Sequence, residues 1–153
     1  FTEAYFDSTP DGNIQVALRR QEPGRMDSPP ITQTAILRTF WRSVPGRTTA
    51  ETTQINANVG YFILSGDTGE AFEGSGAVFF DFDPLTGEML GKLDHATLAL
   101  TGQLTKDASP FSRITLSGTF RAQKNPQIVA RWVNEMNRRF DRNNNKPGKN
   151  LSR

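Results

Sequence analysis

The chain has 153 residues, 35% hydrophobic and 22% charged, with a net charge of +2, which bounds it to one globular domain able to bury a core. It contains no cysteine, which excludes disulfides, thiolate metal sites and a cysteine nucleophile. No run approaches the roughly 18 apolar residues of a membrane helix.

Phenylalanine supplies 11 of the aromatic residues against 2 Trp and 2 Tyr, and these rings, lacking a polar handle, are core material. Phe1 to Phe6 fits a first strand or an arm. Phe1 stands where an initiating Met would be, which fits either a removed signal peptide or an excised domain. Asp11-Gly12 is a turn signal, and Ile14, Val16 and Leu18 alternate into a strand ending at Arg20. Residues 21–30, with Pro23, Gly24, Pro29 and Pro30, read as a loop. Ile31 to Val44 is rich in β-branched and aromatic residues, with neither face cleanly polar, which predicts a strand covered on both sides or bulged. After a turn at Pro45-Gly46-Arg47, Thr48 to Leu64 resumes the β pattern. Ile55, Ala57, Val59, Tyr61 and Ile63 share one face; Thr52, Gln54, Asn56 and Asn58 share the other, which Phe62 and Leu64 turn apolar.

Ser65 to Gly76 holds four glycines among acidic residues and reads as a flexible loop, broken by a short pairing at Ala71-Phe72. The central hairpin follows. Gly76 to Asp83 is its first strand, Pro84 to Glu88 its turn and Met89 to Leu104 its long return. Strict alternation predicts Leu90, Lys92, Asp94, Ala96, Leu98 and Leu100 on one face of that return, with Gly91, Leu93, His95 and Thr97 on the other. Thr105 to Phe111 is a loop and Ser112 to Ala122 a last strand. The period then becomes helical. Asn125 caps, Pro126 takes the first position, and Ile128, Val129, Trp132, Val133, Met136 and Phe140 form an apolar stripe. The helix spans 125–141 and ends there, because Asn143 to Gly148 cannot continue it. Residues 1–141 thus form one domain and 142–153 a flexible basic tail.

Charge is uneven along the chain. Residues 1–122 carry 10 Lys/Arg against 14 Asp/Glu, and residues 123–153 carry 8 against 2. This asymmetry points to partner-binding by Arg131, Arg138, Arg139, Arg142, Lys146 and Lys149 on an acidic protein surface. Nucleic acid fits less well, since few aromatic residues are interleaved with the charges, and those present, Trp132 and Phe140, fall on the stripe expected to face the sheet.

No catalytic residue is recognised. Asp81, Asp83 and Glu88 bracket a turn but lack the spacing of a calcium loop, and Asp-Pro and Thr-Gly are ordinary hairpin chemistry. His95, the only histidine, sits on a strand beside Asp94, and alternation points the two to opposite faces. The glycines at 66, 69, 74 and 76 are not followed by Gly-Lys-Ser/Thr or a helix, so no phosphate loop is present. Neither a cofactor nor a metal is expected.

Several strands followed by one helix predict an antiparallel sheet with a packed C-terminal helix; seven or so strands are enough to close a small barrel or form a sandwich, and an antiparallel β-barrel of about eight strands is the expected form. Phe72 to Phe82, Leu100-Thr101-Gly102 and Leu116 to Phe120 together resemble the small barrels of transferrin-binding-protein-B-like surface lipoproteins. That resemblance covers about a third of the chain, and the chain departs from it by ending in a basic helix. It implies an eight-stranded barrel in an exported protein, secreted, periplasmic or at the cell surface, that binds a partner. The expected function is non-enzymatic binding or assembly with a protein partner. The alternative is a barrel enzyme of the isomerase or cyclase type, or a carrier, acting on a small apolar ligand inside the barrel.

Overall fold

The computed structural model describes residues 1–24, 28–40, 55–105 and 109–144, with side chains described as far as Phe140. Seven strands precede one helix: β1 (Glu3–Ser8), β2 (Ile14–Glu22), β3 (Ile31–Thr39), β4 (Ala57–Ser65), β5 (Thr68–Phe82), β6 (Met89–Gln103), β7 (Arg113–Lys124) and α1 (Pro126–Asn144). The strands are hydrogen-bonded in sequence order as one closed sheet, each antiparallel to the next. Among the described residues there are seven strands, against the expected eight or so. An odd number forces the closing pair, β1 with β7, to run parallel, and it spans only Tyr5–Gln123 and Phe6–Lys124.

Inside the ring, Val16, Leu37, Val59, Phe72, Val78, Met89 and Leu98 are fully buried. Two strand ends near the turns are finished by side chains instead of backbone. Asn56 donates from Nδ2 to the Val78 carbonyl and accepts from the Val78 amide, both at 2.7 Å. The Thr39 hydroxyl accepts from the Ile14 amide at 2.7 Å and donates to the Ile14 carbonyl at 3.2 Å. Both polar side chains are buried, and both are satisfied.

A second core lies outside the ring. Ala17, Ile36, Phe62, Leu64 and Ala71 point outward from β2 to β5, and the stripe Val129, Trp132, Val133 and Met136 of α1 covers them. This is why Phe62 and Leu64 turn their face of β4 apolar. Asn125 caps the helix by accepting the Ile128 amide at 3.1 Å, while its own amide donates to Phe6 at 3.0 Å. The helix continues three residues beyond the expected end at Asp141, to Asn144. Asparagine lowers helix propensity by only tenths of a kcal/mol, and Pro147 restricts only the residue before it. Residues 142–144 are therefore helical. The rest of the expected tail lies outside the described residues, as do Trp41, Arg42 and the Pro45-Gly46-Arg47 turn.

The expected glycine-rich loop is instead strand. β5 begins at Thr68, straight after the β4–β5 turn. The glycines permit close packing: a Cβ at Gly74 would fall 2.0 Å from the Thr97 carbonyl oxygen, and one at Gly76 would fall 2.7 Å from the Ala96 Cβ.

β6 corrects the strict alternation. It carries one extra residue near Asp94-His95 against both neighbours, and another near Thr101 against β5. Each bulge flips the facing parity. Met89, Gly91 and Leu93 are buried before the first, and Ala96 and Leu98 after it. Leu90 is exposed, not core. Beyond the second bulge Gly102 faces outward beneath Phe140 of α1.

Candidate functional site

The bulge brings the two polar neighbours of β6 together. His95 takes a left-handed backbone, φ 46°, and its Nδ1 contacts the Asp94 carboxylate, so the two side chains do not face opposite ways. The imidazole is 84% exposed, and among the described residues no hydroxyl is bonded to it; the pair is a surface contact.

The Asp81, Asp83 and Glu88 constellation is divided by local structure. Asp83 accepts the Leu85 amide at 2.8 Å, and that bond, with help from Thr86, holds its carboxyl below the usual carboxylate range. Glu88 pairs with Arg121 at 3.2 Å. Gly87, at φ 70°, completes the turn. No group of three metal-ligating side chains occurs among the described residues.

The basic residues of α1 are not equivalent. Arg131 and Arg138 are exposed, two turns apart, with Glu135 between them held by Arg19 at 2.9 Å. Arg19 also lies 4.4 Å from the Trp132 ring and donates to Thr34, so it ties helix to sheet. Arg139 is exposed and donates to the Gly66 carbonyl at 3.2 Å. The Arg142 side chain, Lys146 and Lys149 lie outside the described residues.

The ring itself has a weak wall. On the side of β7 away from β6, pairing is confined to Gln123 and Lys124. From there to Arg113, β7 has no second strand partner among the described residues, and neither do Glu3 and Ala4 of β1 on their β7 side. A cleft of about 300 Å³ opens between them, bordered by Phe1 to Ala4 and by Leu116 to Arg121, with Leu18 and Leu93 in its floor. The inward residues of β7 reflect the opening: Ile114, Leu116 and Phe120 are only half-buried. The Phe120 ring lies over Gly91, where a Cβ would meet its Cζ at 2.1 Å. At the middle of the cleft Gly118 has φ 154°, a conformation that side-chain-bearing residues rarely take, and a Cβ there would meet nothing within 4 Å.

At the neighbouring mouth of the ring the Tyr61 hydroxyl donates to Gln33 at 2.9 Å, and Phe1 packs edge-on against the Tyr61 ring. Burial, then the charge of Glu22, pushes the Tyr61 phenol up.

The cleft was not singled out by sequence. Its one signal was Gly118, alone inside an otherwise alternating strand. No protein-family model matches this chain, and neither a curated protein nor a solved structure does. No helix among the described residues is long and apolar enough to cross a membrane.

Proposed function

We propose that the chain is a non-enzymatic β-barrel binding or assembly domain of an exported protein, and that a protein partner engages it at the split between β1 and β7. The observation that carries this reading is the coincidence of two unpartnered strand edges with an apolar cleft, among the described residues. Exposed backbone edges are templates for another chain, and natural sheets usually protect them. Arg131, Arg138 and Arg139 are exposed on α1, and Arg142, Lys146 and Lys149 add to the positive charge of the same stretch of sequence; this charge favours an acidic partner, with contacts that weaken as salt rises.

A second reading is a small apolar ligand in the same cleft. It is favoured by the half-buried Leu116 and Phe120, although about 300 Å³ is at the lower end of small-molecule sites. Selection of displayed random peptides against the full chain separates the two. Peptides should enrich that lose about tenfold or more in affinity for Leu116→Lys and bind Leu90→Lys, on the outer face, unchanged. If no peptide enriches, or both variants bind alike, the protein-partner reading fails. Saturable uptake of a fluorescent fatty acid, blocked by Leu116→Lys, would favour the ligand.

A further inference from the structure

We infer that the partner contributes one extended segment that enters the split as an eighth strand, antiparallel to both β1 and β7; this rests on the protein-partner reading above. The direction follows from the topology. All six consecutive pairs are antiparallel, and only the closing pair is parallel. A segment running against both β1 and β7 makes every pairing along the split antiparallel, with the two-residue parallel contact at Tyr5–Gln123 and Phe6–Lys124 remaining beyond its end, and takes the stronger antiparallel pairing on each side. The pattern of the segment follows from the cleft. Side chains pointing inward meet Leu18, Leu93 and Leu116, and those pointing outward lie between Glu3 and the Ser117 and Thr119 rim. Apolar residues at every second position, with polar residues between, match those two environments. Gly118, bare on its inward side, leaves room for an incoming strand to approach closely.

The probe is a synthetic peptide of about ten residues alternating valine and threonine between terminal lysines, titrated into the isotope-labelled full chain. The expected result is slowed amide exchange within Leu116 to Arg121 and within Glu3 and Ala4, with Thr2, whose amide already donates to the Arg19 carbonyl, unchanged. N-methylation of one central peptide amide should weaken binding by about tenfold or more, because each lost strand hydrogen bond leaves a carbonyl unpaired. Direction is read by a chain variant, Ser117→Cys, usable because the native chain has no cysteine. Peptides with a cysteine near one end only should be captured from a single end, the one antiparallel pairing places beside residue 117.

Binding at these residues without amide protection, unchanged affinity after N-methylation, or capture from the opposite end would overturn the strand and leave the protein-partner reading standing. If display-selected peptides bind the cleft and this probe does not, the alternating pattern is overturned. If no peptide binds the cleft, both fail. Protection that grows with chain concentration alone would assign the edge to a second copy of this chain, overturning the proposal.

Discussion

The wall beneath α1 and the wall formed by β6 and β7 differ on both faces at once. Under the helix, the outward residues Ala17, Ile36, Phe62, Leu64 and Ala71 are buried, and so are the inward residues Val16, Ala35, Leu37, Val59 and Phe72. On the other wall, Lys92, Thr97, Ser117, Thr119 and Arg121 face water, and the inward Ile114, Leu116 and Phe120 stay half-exposed. Strands covered on both sides read as nearly continuous apolar text, whereas strands wet on one side alternate. The difference shows two separate causes: α1 seals the outer face of the strands it covers, whereas the half-open inner face belongs to β7 beside the split, because the inward Met89, Leu93, Ala96 and Leu98 of β6 are buried without the helix.

This contrast can be broken by mutation. Trp132 is buried between helix and sheet, so Trp132→Ala should lower unfolding free energy by about 3–5 kcal/mol. Phe120→Ala, on the bare wall, should cost about 1–2 kcal/mol, since only part of its ring leaves water. Denaturant titration of both variants checks this; equal losses would mean the walls are energetically alike.

The finish of the strand ends sharpens the comparison. Asn56→Ala leaves the Val78 amide and carbonyl unpaired and should cost about 2 kcal/mol, with faster amide exchange at Val78. If Val78 keeps its protection, another group closes that end of the ring.

The smallest effects are in pH dependence, and they have opposite signs. The Tyr61 phenol has a raised folded pKa, so its contribution is intact below its unfolded value of 10.0 and is lost as pH rises through the folded one. Tyr61→Phe should flatten stability above about pH 10, as followed by denaturant midpoints. Asp83 has a lowered folded pKa, so its contribution is present above the unfolded value of 3.8 and lost as pH falls below it. Asp83→Ala should remove that acid slope and lower stability at neutral pH, where the contribution is intact, with the difference from the native chain shrinking as pH falls below 3.8.

Much of this architecture was legible in the sequence. The helix stripe, its Asn125 cap and the double-sided character of β3 and β4 follow from periodicity, because burial imposes it directly. Three features were not legible for a shared reason: each depends on a neighbour distant in sequence. The glycines of β5 look like loop until Thr97 and Ala96 are seen against them. Leu90 looks like core until the bulges shift the parity of β6. Asp94 and His95 look opposed until the same bulge turns them together. The split wall was hidden because a strand edge lacks a partner only relative to the complete pairing of all other strands.

The ring's closure also sets an order of events in time. Arg19 and Glu135 meet across 116 residues, and the Phe6 carbonyl is bonded by the Asn125 amide at the start of α1. The two-residue pairing that closes the ring therefore waits for the last strand and the helix, and loop closure over such a span is entropically expensive. Until β7 and α1 have been made, β1 has no partner on its β7 side and nothing covers the outward Phe62 and Leu64. Packing of α1 covers that outer apolar face and brings the Asn125 amide to the Phe6 carbonyl, but it leaves the edges at the split between β1 and β7 open, so the finished fold keeps one of the two hazards of an open sheet.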